Sequence, residues 1–531
     1  MSMDDKTRPS PLENWPSPPL YASYHGRSVL TPPTQGRKDF CDTIDSSAKR
    51  LRSVRNGAFE RKFHPQTECK SILMANIYPI RAWRYSPSAV RLDEVVTQPY
   101  DKISPAMQQA YYLRSPFNLV RIILGLPEPG DAERGQSVYT RAARDLRAWQ
   151  DQGVLAQEKD PCIFAYAQQF KVPGTEIMKE RRGFIALGKL HDYSEQVAFR
   201  HEQTLSKPKS DRLNLLKATH AHFGQIFMLY SDPASSIEKI LYDCNVAGTV
   251  GRDRSRSEQA IYTGYGSLCG EVTDEYGVLH RVWSISDPAL INQVVTAMAS
   301  KKLIIADGHH RYETALNYSK EHASAKTETS TGTLPQPEFP EAAAMMTFVN
   351  MDSDGLVILP THRVVHSLTN FDPAAFARAA EAFFTIEPLH ATDSSSLIKT
   401  LTSQQGTTFV AVTRAGALLL RAKPEPVAAA LASLPERQRK LDLSCLHSIV
   451  LDRLLGLDTE KVREQTNIRY LRDAVEAVEQ VRSGEADVAF LTNPVSMEQL
   501  REVAFAGDVM PQKSTDFFPK LLSGLTIYAL D

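Results

Sequence analysis

Leu303-Ile304-Ile305-Ala306-Asp307-Gly308-His309-His310-Arg311-Tyr312-Glu313 changes character partway along. Its first four residues form an unbroken apolar run, the pattern of a strand buried on both faces. Asp307-Gly308 breaks the run. His309 to Tyr318 then reads as a helix with Asp307 or Gly308 near its cap. Upstream, Ser286-Asp287-Pro288 reads as another helix start, with proline at the first helical position. Leu290, Val294 and Met298 recur every four residues and give that helix one apolar face. Lys301 and Lys302 follow at its negative end, where cations are favoured.

Working outward, strands are expected at Phe164–Phe170 and Arg182–Leu190 around Pro173-Gly174, and on either side of Asp274-Glu275-Tyr276-Gly277. Phe409–Val412 and Ala417–Arg421 predict a hairpin, and Val488–Leu491 a short buried strand. Helical periods appear at Ala142–Gln150 and Leu471–Arg482, the latter ended by Gly484. Strands and helices alternate without a simple repeat. The expected class is mixed α/β (α+β), a composite of mixed sheets with flanking helices.

Residues 1–73 are rich in Pro, Ser, Lys and Arg, lack hydrophobic periodicity, and read as a disordered N-terminal extension ahead of Met74. An α/β domain carrying the Asp307–Arg311 motif is expected over 74–385, and a C-terminal α/β subdomain over 386–531. Residues 323–340 read as a disordered insertion and Gly251–Arg256 as a charged loop.

The 531 residues carry a formal net charge of −1, which argues against a broad nucleic-acid or membrane surface. No apolar run approaches the roughly 20 residues that span a bilayer. The six cysteines form no Cys-x-x-Cys pair, so neither a disulfide framework nor a cysteine zinc site is indicated. A cytoplasmic location is expected, with organelle targeting by the Ser/Arg-rich segment Ser46–Lys62 left open. Oligomeric state is not legible.

The junction's chemistry suits an anion. Glycine lets a ligand approach the backbone, and the first helical N–H groups lack intrahelical partners beside a partial positive charge. His309, His310 and Arg311 add donors, a combination that suits phosphate or carboxylate. A structural reading fits the same residues: histidines capping a helix, and Arg311 paired with Asp307 or Glu313. A metal reading fits too, since His309 and Glu313 stand four apart on one helical face, with Asp307 and Glu313 as hard ligands.

Other polar segments are candidates to complete a site. His201 to Arg212 reads as a loop before a helix near Leu213–Thr219, offering Lys207 and Arg212 to phosphate and Glu202 as acid or base. Pro99-Tyr100-Asp101-Lys102-Ile103-Ser104 is a turn before a helix, with Ser104 as cap and Asp101 free to face a ligand. Leu359-Pro360-Thr361-His362-Arg363 ends a strand. Met510-Pro511-Gln512-Lys513-Ser514-Thr515 offers Lys513, Ser514 and Thr515, and is not a Walker loop because its glycines are missing.

Taken in order, these segments together with Asn118-Leu119-Val120-Arg121 resemble the family called domain of unknown function 1015, over about residues 77–531. Gln98 and Lys102 stand where that pattern has Pro and Val, and Asp516 where it has an aromatic residue. The stretch Asp307–Arg311 is also similar to the phosphate-binding motif of the ParB/sulfiredoxin-like superfamily, which includes free-serine kinases. That resemblance implies a strand–loop–helix core and ATP or ADP with Mg²⁺. It implies a nucleotide-dependent phosphotransferase or phosphohydrolase acting on a small polar metabolite such as serine or phosphoserine. Within it Gly308, His309, His310, Arg311, Lys207, Arg212, Lys513, Ser514 and Thr515 hold phosphate. Asp101, Glu202, Asp307 or His309 carry the chemistry, and Asp307 and Glu313 hold metal. A non-catalytic nucleotide- or metabolite-binding regulator and a metal-dependent hydrolase are the alternatives.

Overall fold

The computed structural model describes residues 75–131, 133–202, 206–242, 266–323, 333–391 and 393–531, with the backbone alone at 206–208. The expected extension, the charged loop 251–256 and half of the expected insertion, residues 324–332, lie outside the described residues.

A nine-stranded mixed sheet carries the motif. Its strands are β1 (Ile77–Tyr78), β2 (Ile163–Lys171), β3 (Met178–Lys189), β4 (Ala198–Phe199) and β5 (Ile226–Tyr230), followed by β6 (Ser267–Thr273), β7 (Leu279–Ile285), β8 (Leu303–Asp307) and β9 (Ala343–Asn350). The order is β4-β8-β5-β9-β3-β2-β7-β6, with β1 also on β3. Pairings β8–β4 and β9–β5 are parallel, and the others in the sheet antiparallel. Every residue of central β9 is buried.

Period-two alternation divides β8 between two cores. Leu303 and Ile305 join Val294, Met298, Tyr312 and Leu316 on the face covered by α3 (Pro288–Met298) and α4 (His309–His322). Ile304 and Ala306 point the other way, into a cluster with Phe517, Leu521 and Leu522 from the C-terminal tail. The continuous apolar run is explained by this two-sided burial.

Helix α1 (Val138–Asp151) and helix α2 (Ser206–Thr219) flank the sheet region. Helix α2 begins at Ser206, so Arg212 is helical and not in a loop. The proline at position 208 misleads here, because proline is tolerated in a helix's first turn.

A second sheet is antiparallel, in the order β11-β13-β12-β15-β10-β14. These are β10 (His362–Val365), β11 (Phe384–Leu389), β12 (Thr408–Thr413), β13 (Gly416–Ala422), β14 (Ile468–Leu471) and β15 (Val488–Leu491). The expected hairpin is β12–β13. Helix α5 (Ala474–Ser483) ends at Gly484 with φ +86, as expected, while Leu471 belongs to β14 and not to the helix.

The described residues from Ala75 to Asp531 group as one unit by their contacts, with the expected boundary at 385/386 inside it. Strand β10, upstream of that boundary, lies inside the second sheet. The tail returns: Asp516–Phe518 pairs with Val357–Leu359, and Tyr528–Ala529 with Ala221–His222. Residues 333–340 are likewise tied down, with Phe339 buried and Tyr528 Oη donating to the Pro340 carbonyl at 2.9 Å.

Candidate functional site

The site starts from a fault in the sheet. Between β8 and β5 the register shifts at Ile305/Asp307, a bulge that re-aims the end of β8. Gly308 follows with φ +92, a left-handed conformation that suits glycine, and caps α4 without a side-chain acceptor. Asp307 Oδ1 accepts from its neighbour Gly308 N at 2.8 Å, which closes the turn.

Arg311 folds back over this turn. A Cβ on Gly308 would lie 3.0 Å from both Arg311 Nε and Nη2. Arg311 Nη1 donates to the Gln225 carbonyl, and Nη2 stands 4.0 Å from Asp307 Oδ1. The arginine therefore has structural partners as well as a position at the helix start.

Asp307 belongs to a buried ionic chain. Lys520 Nζ lies 3.3 Å from Asp307 Oδ2 and 3.1 Å from Asp516 Oδ1, and Arg472 Nε lies 2.6 Å from Asp516 Oδ2. Burial pushes the Asp307 carboxyl up, but Lys520, Arg311 and Lys102 together hold it well below the usual range. Burial likewise opposes ionisation of Asp516, and Lys520 and Arg472 hold it low. Lys520 is raised on balance: its burial lowers it, and Asp307, Asp516 and Asp101 more than offset that.

The expected segments converge on the motif. His201 is fully buried, its ring 4.7 Å from that of His309 and edge-on to it. Its Nε2 is 2.8 Å from Thr515 Oγ1. Burial, then His201, hold His309 well below the ordinary histidine value, so the imidazole is neutral. His309 Nε2 meets no hydrogen-bond partner among the described residues. His310 is lowered by burial and by Lys513, and raised by Glu202 and Asp101. Glu202 Oε1 accepts from Lys513 N at 2.5 Å. Lys513 is exposed with φ +55, and Ser514 Oγ donates to the Pro511 carbonyl. The side chain of Lys207 lies outside the described residues.

Two hollows adjoin the motif. A cavity of about 60 Å³ is lined by Tyr100, Arg212, Gly224, Arg311, Thr314 and Ser523. It has room for roughly two waters at ~30 Å³ each. Arg212 sits 4.0 Å over the Tyr100 ring and donates to the Ile123 carbonyl at 2.8 Å. A cleft of about 500 Å³ is lined by Lys102, Lys513, Asp516 and Lys520, the last of which reaches Asp307. Its size falls in the range of small-molecule sites. The turn Tyr100–Lys102 spans both, with Tyr100 in the cavity and Lys102 in the cleft, while Asp101 is exposed.

The two residues expected to hold metal already face cations. Glu313 lies 3.0 Å from Lys209 and 3.5 Å from Arg200, in a network of its own. At Asp307 the ammonium of Lys520 stands where a cation would bind. Among the described residues no group of three or more His, Cys, Asp or Glu side chains gathers as a metal cage. Sequence reasoning missed Lys520 and Arg472 and gave Lys102 no role. Lys520 had a signal: one lysine between Phe517-Phe518-Pro519 and Leu521-Leu522 implies a buried charge with a partner.

The chain belongs to the family described as protein of unknown function (DUF1015), whose model matches residues 77–444. The match ends before Met510–Thr515, which the resemblance had been expected to include. No curated protein matches in sequence. Among solved structures, a free serine kinase in complex with AMP is 13% identical over 60% of this chain and 83% of its own, with a TM-score of 0.28. A mutant free serine kinase in complex with ADP is 11% identical over 65% and 92%, with a TM-score of 0.31. A C-terminally truncated SbnI from Staphylococcus aureus is 8% identical over 64% and 85%, with a TM-score of 0.28. Likenesses this low decide neither ligand nor reaction. No helix among the described residues is long and apolar enough to cross a membrane.

Proposed function

We propose that this protein is a nucleotide-dependent phosphotransferase or phosphohydrolase for a small polar metabolite, with serine and phosphoserine the first compounds to try. One observation carries the reading: the left-handed Gly308 opens α4 without a side-chain acceptor, directly under Arg311 and beside the ion-paired Asp307. The first-turn N–H groups of a helix lack intrahelical partners and favour an anion.

In this reading the helix start and Arg311 receive a nucleotide's phosphates, with the guanidinium moving off the turn to admit them. The wider cleft would take the metabolite. Phosphoryl transfer asks the protein for positioning and charge neutralisation more than for a strong nucleophile. Asp307, kept ionised by its cations, is poorly suited to take up a proton and better suited to hold Lys520 in place. Glu202 is committed to the Lys513 amide. Asp101, exposed between Tyr100 and Lys102 and in no ion pair among the described residues, is the carboxylate we assign to accept a substrate proton. A resident Mg²⁺ on Asp307 does not fit while Lys520 occupies its open side, so no step is assigned to one.

The test is thermal stabilisation of the full chain by AMP, ADP, ATP, serine and phosphoserine, with and without Mg²⁺. A ligand at about one hundred times its Kd adds about 2.7 kcal/mol. Phosphate transfer from ATP to serine, or phosphate release, is then followed directly. Absence of stabilisation by every nucleotide overturns the reading. Binding without turnover makes the protein a nucleotide sensor instead, an outcome favoured by how fully Asp307 and Glu202 are already engaged.

A further inference from the structure

The wall of the cleft that carries Lys513 and Asp516 also carries a hydroxyl with a base behind it. Tyr276, Thr361, Tyr470 and Thr515 each bring a hydroxyl-bearing side chain to the cleft. That of Thr515 meets an imidazole: its Oγ1 lies 2.8 Å from His201 Nε2. Thr515 is half-buried at the cleft, and His201 behind it is fully buried. The imidazole packs against the rings of His309 at 4.7 Å and Phe517 at 6.5 Å, edge-on to both. Two ties fix the pair: Met510 N donates to the His201 carbonyl at 2.8 Å, and Lys513 N donates to Glu202 Oε1 at 2.5 Å. Burial lowers the pKa of His201, and Glu202, the Ile305 main chain and Asp307 act against that without reversing it. The ring is therefore neutral at neutral pH and able to take a proton. A hydroxyl within hydrogen-bond reach of such a ring is the arrangement that activates a nucleophile. The bond also satisfies a buried histidine; what sets it apart is that the threonine opens onto space for a second reactant.

We infer that Thr515 is a nucleophile with His201 as its general base, and that it accepts a phosphoryl group from a nucleoside triphosphate. In the tautomer that carries its proton on Nδ1, His201 Nε2 takes the Thr515 proton as Oγ1 attacks the terminal phosphorus. The Oγ1–P bond forms and the bond from that phosphorus to the bridging oxygen breaks. Nucleoside diphosphate leaves, and the imidazolium gives its proton to solvent. Glu202 and Asp307, which favour the protonated ring, offset the charge it gains. The position agrees with the phosphate reading, because His309, whose ring meets His201, is the first residue of α4. The donor rests on the nucleotide reading above; the activated hydroxyl does not. Thr515 lies beyond residues 77–444, so the family match says nothing of it.

The experiment treats the full chain with two reagents and maps the modified residue by mass spectrometry. Diisopropyl fluorophosphate needs no nucleotide site: the same Oγ1–P bond forms and fluoride leaves. Radiolabelled ATP with Mg²⁺ tests the phosphoryl step. Both label Thr515, and the label from ATP survives acid, as a threonine ester does and a phosphohistidine at His309 or His310 does not. Thr515→Ser keeps the label and Thr515→Val loses it. His201→Gln is labelled about a hundredfold more slowly or worse. In wild type the rate falls as acid protonates the ring, and in His201→Gln that inflection is gone, which a merely structural pair would not produce. Should His201→Gln fail to fold, the Ser and Val variants decide, with their melting temperatures measured alongside. No label at Thr515 from either reagent, or the same label in Thr515→Val, overturns the nucleophile; if nucleotides still stabilise the chain, the phosphotransferase reading survives it. Label from the fluorophosphate with no nucleotide bound overturns the phosphotransferase reading and leaves the activated hydroxyl standing. Label from the fluorophosphate with ATP bound but not transferred overturns the phosphoryl step alone.

Discussion

Replacing Lys520 by Met removes the centre of the buried chain Asp307–Lys520–Asp516 while keeping much of the side-chain volume. Lys520 is 9% exposed, Asp307 23% and Asp516 11%. At contacts of 3.3 and 3.1 Å, an effective dielectric of about 20 gives about 5 kcal/mol of attraction each, before desolvation. Removing one partner of a buried pair costs about 3–5 kcal/mol net, because the charges left behind are not neutralised. With about 2.1 cal/mol/K of unfolding entropy per residue over roughly 450 folded residues, the melting temperature should fall by about 3–5 °C.

The pH dependence separates this cause from simple loss of packing. In wild type, Asp307 and Asp516 have depressed folded pKa values. Their contribution is present above the unfolded carboxylate value and lost as pH falls through the folded one. The raised Lys520 contributes below its unfolded pKa, and that contribution is lost as pH rises through the folded value. Without Lys520 the two carboxylates titrate higher, and protonating them relieves the mutant. The deficit in Lys520→Met should therefore be largest near neutral pH and shrink toward pH ~5. Urea melts of both proteins across that range are the assay. A deficit that is absent, or that stays constant with pH, refutes the ionic account of this centre.

Arg311→Ala leaves the Gln225 carbonyl without its donor, so stability should fall by about 1–3 kcal/mol, and AMP affinity by about ten- to a hundredfold. Unchanged AMP affinity with lowered stability would make this arginine purely structural. Gly308→Ala imposes a Cβ on φ +92 and against the Arg311 guanidinium, and should cost about 1–2 kcal/mol in denaturant melts; wild-type stability there would refute the strained-turn account. His222 and His362 are pushed down from 6.5 to about 4 by burial. Stability should then fall as pH drops from about 6.5 to 4, by about 3 kcal/mol for each, and phenylalanine at 222 should flatten its share of the slope.

What could be read from the sequence follows burial pattern. The run Leu303–Ala306 announced a strand covered on both sides, and Asp287-Pro288 and Gly484 fixed helix ends through local chemistry. His201 meets His309 and Glu202 meets Lys513 across more than one hundred residues, while Arg212 and Arg311 line a separate cavity; the sequence offered these segments as parts of one site without showing which would touch. The domain boundary was not legible, because it depends on β10 and the tail crossing to distant partners, and no local signal marks such a crossing. Arg472 was missed for the same reason, standing forty-four positions from its partner Asp516, whereas Lys520 is four positions from Asp516 and its place between apolar residues was a local signal left unread. Arg212 was assigned to a loop by composition, where the backbone is helical.

The tail's path explains how distant residues reach the motif. Arg181 is fully buried and has no carboxylate partner among the described residues; its donors go to Gln168 and to the carbonyls of Phe518 and Pro519. Arg363 is equally buried and donates to the carbonyls of Thr361, Gln512 and Lys513. Burial pushes each guanidinium down to about 10, yet both stay charged at neutral pH. Where a buried guanidinium donates to main-chain carbonyls, it fixes the backbone whatever side chains that backbone bears. The segment 512–519 is therefore held at both ends by contacts that do not depend on which side chains it bears. Lys513 and Asp516 between the clamps, and Lys520 just beyond, are left to face the cleft. Substitution there should change the charge of the cleft while the two arginine clamps hold the backbone in place, and Gly308 with α4, which touch neither clamp among the described residues, should keep their geometry.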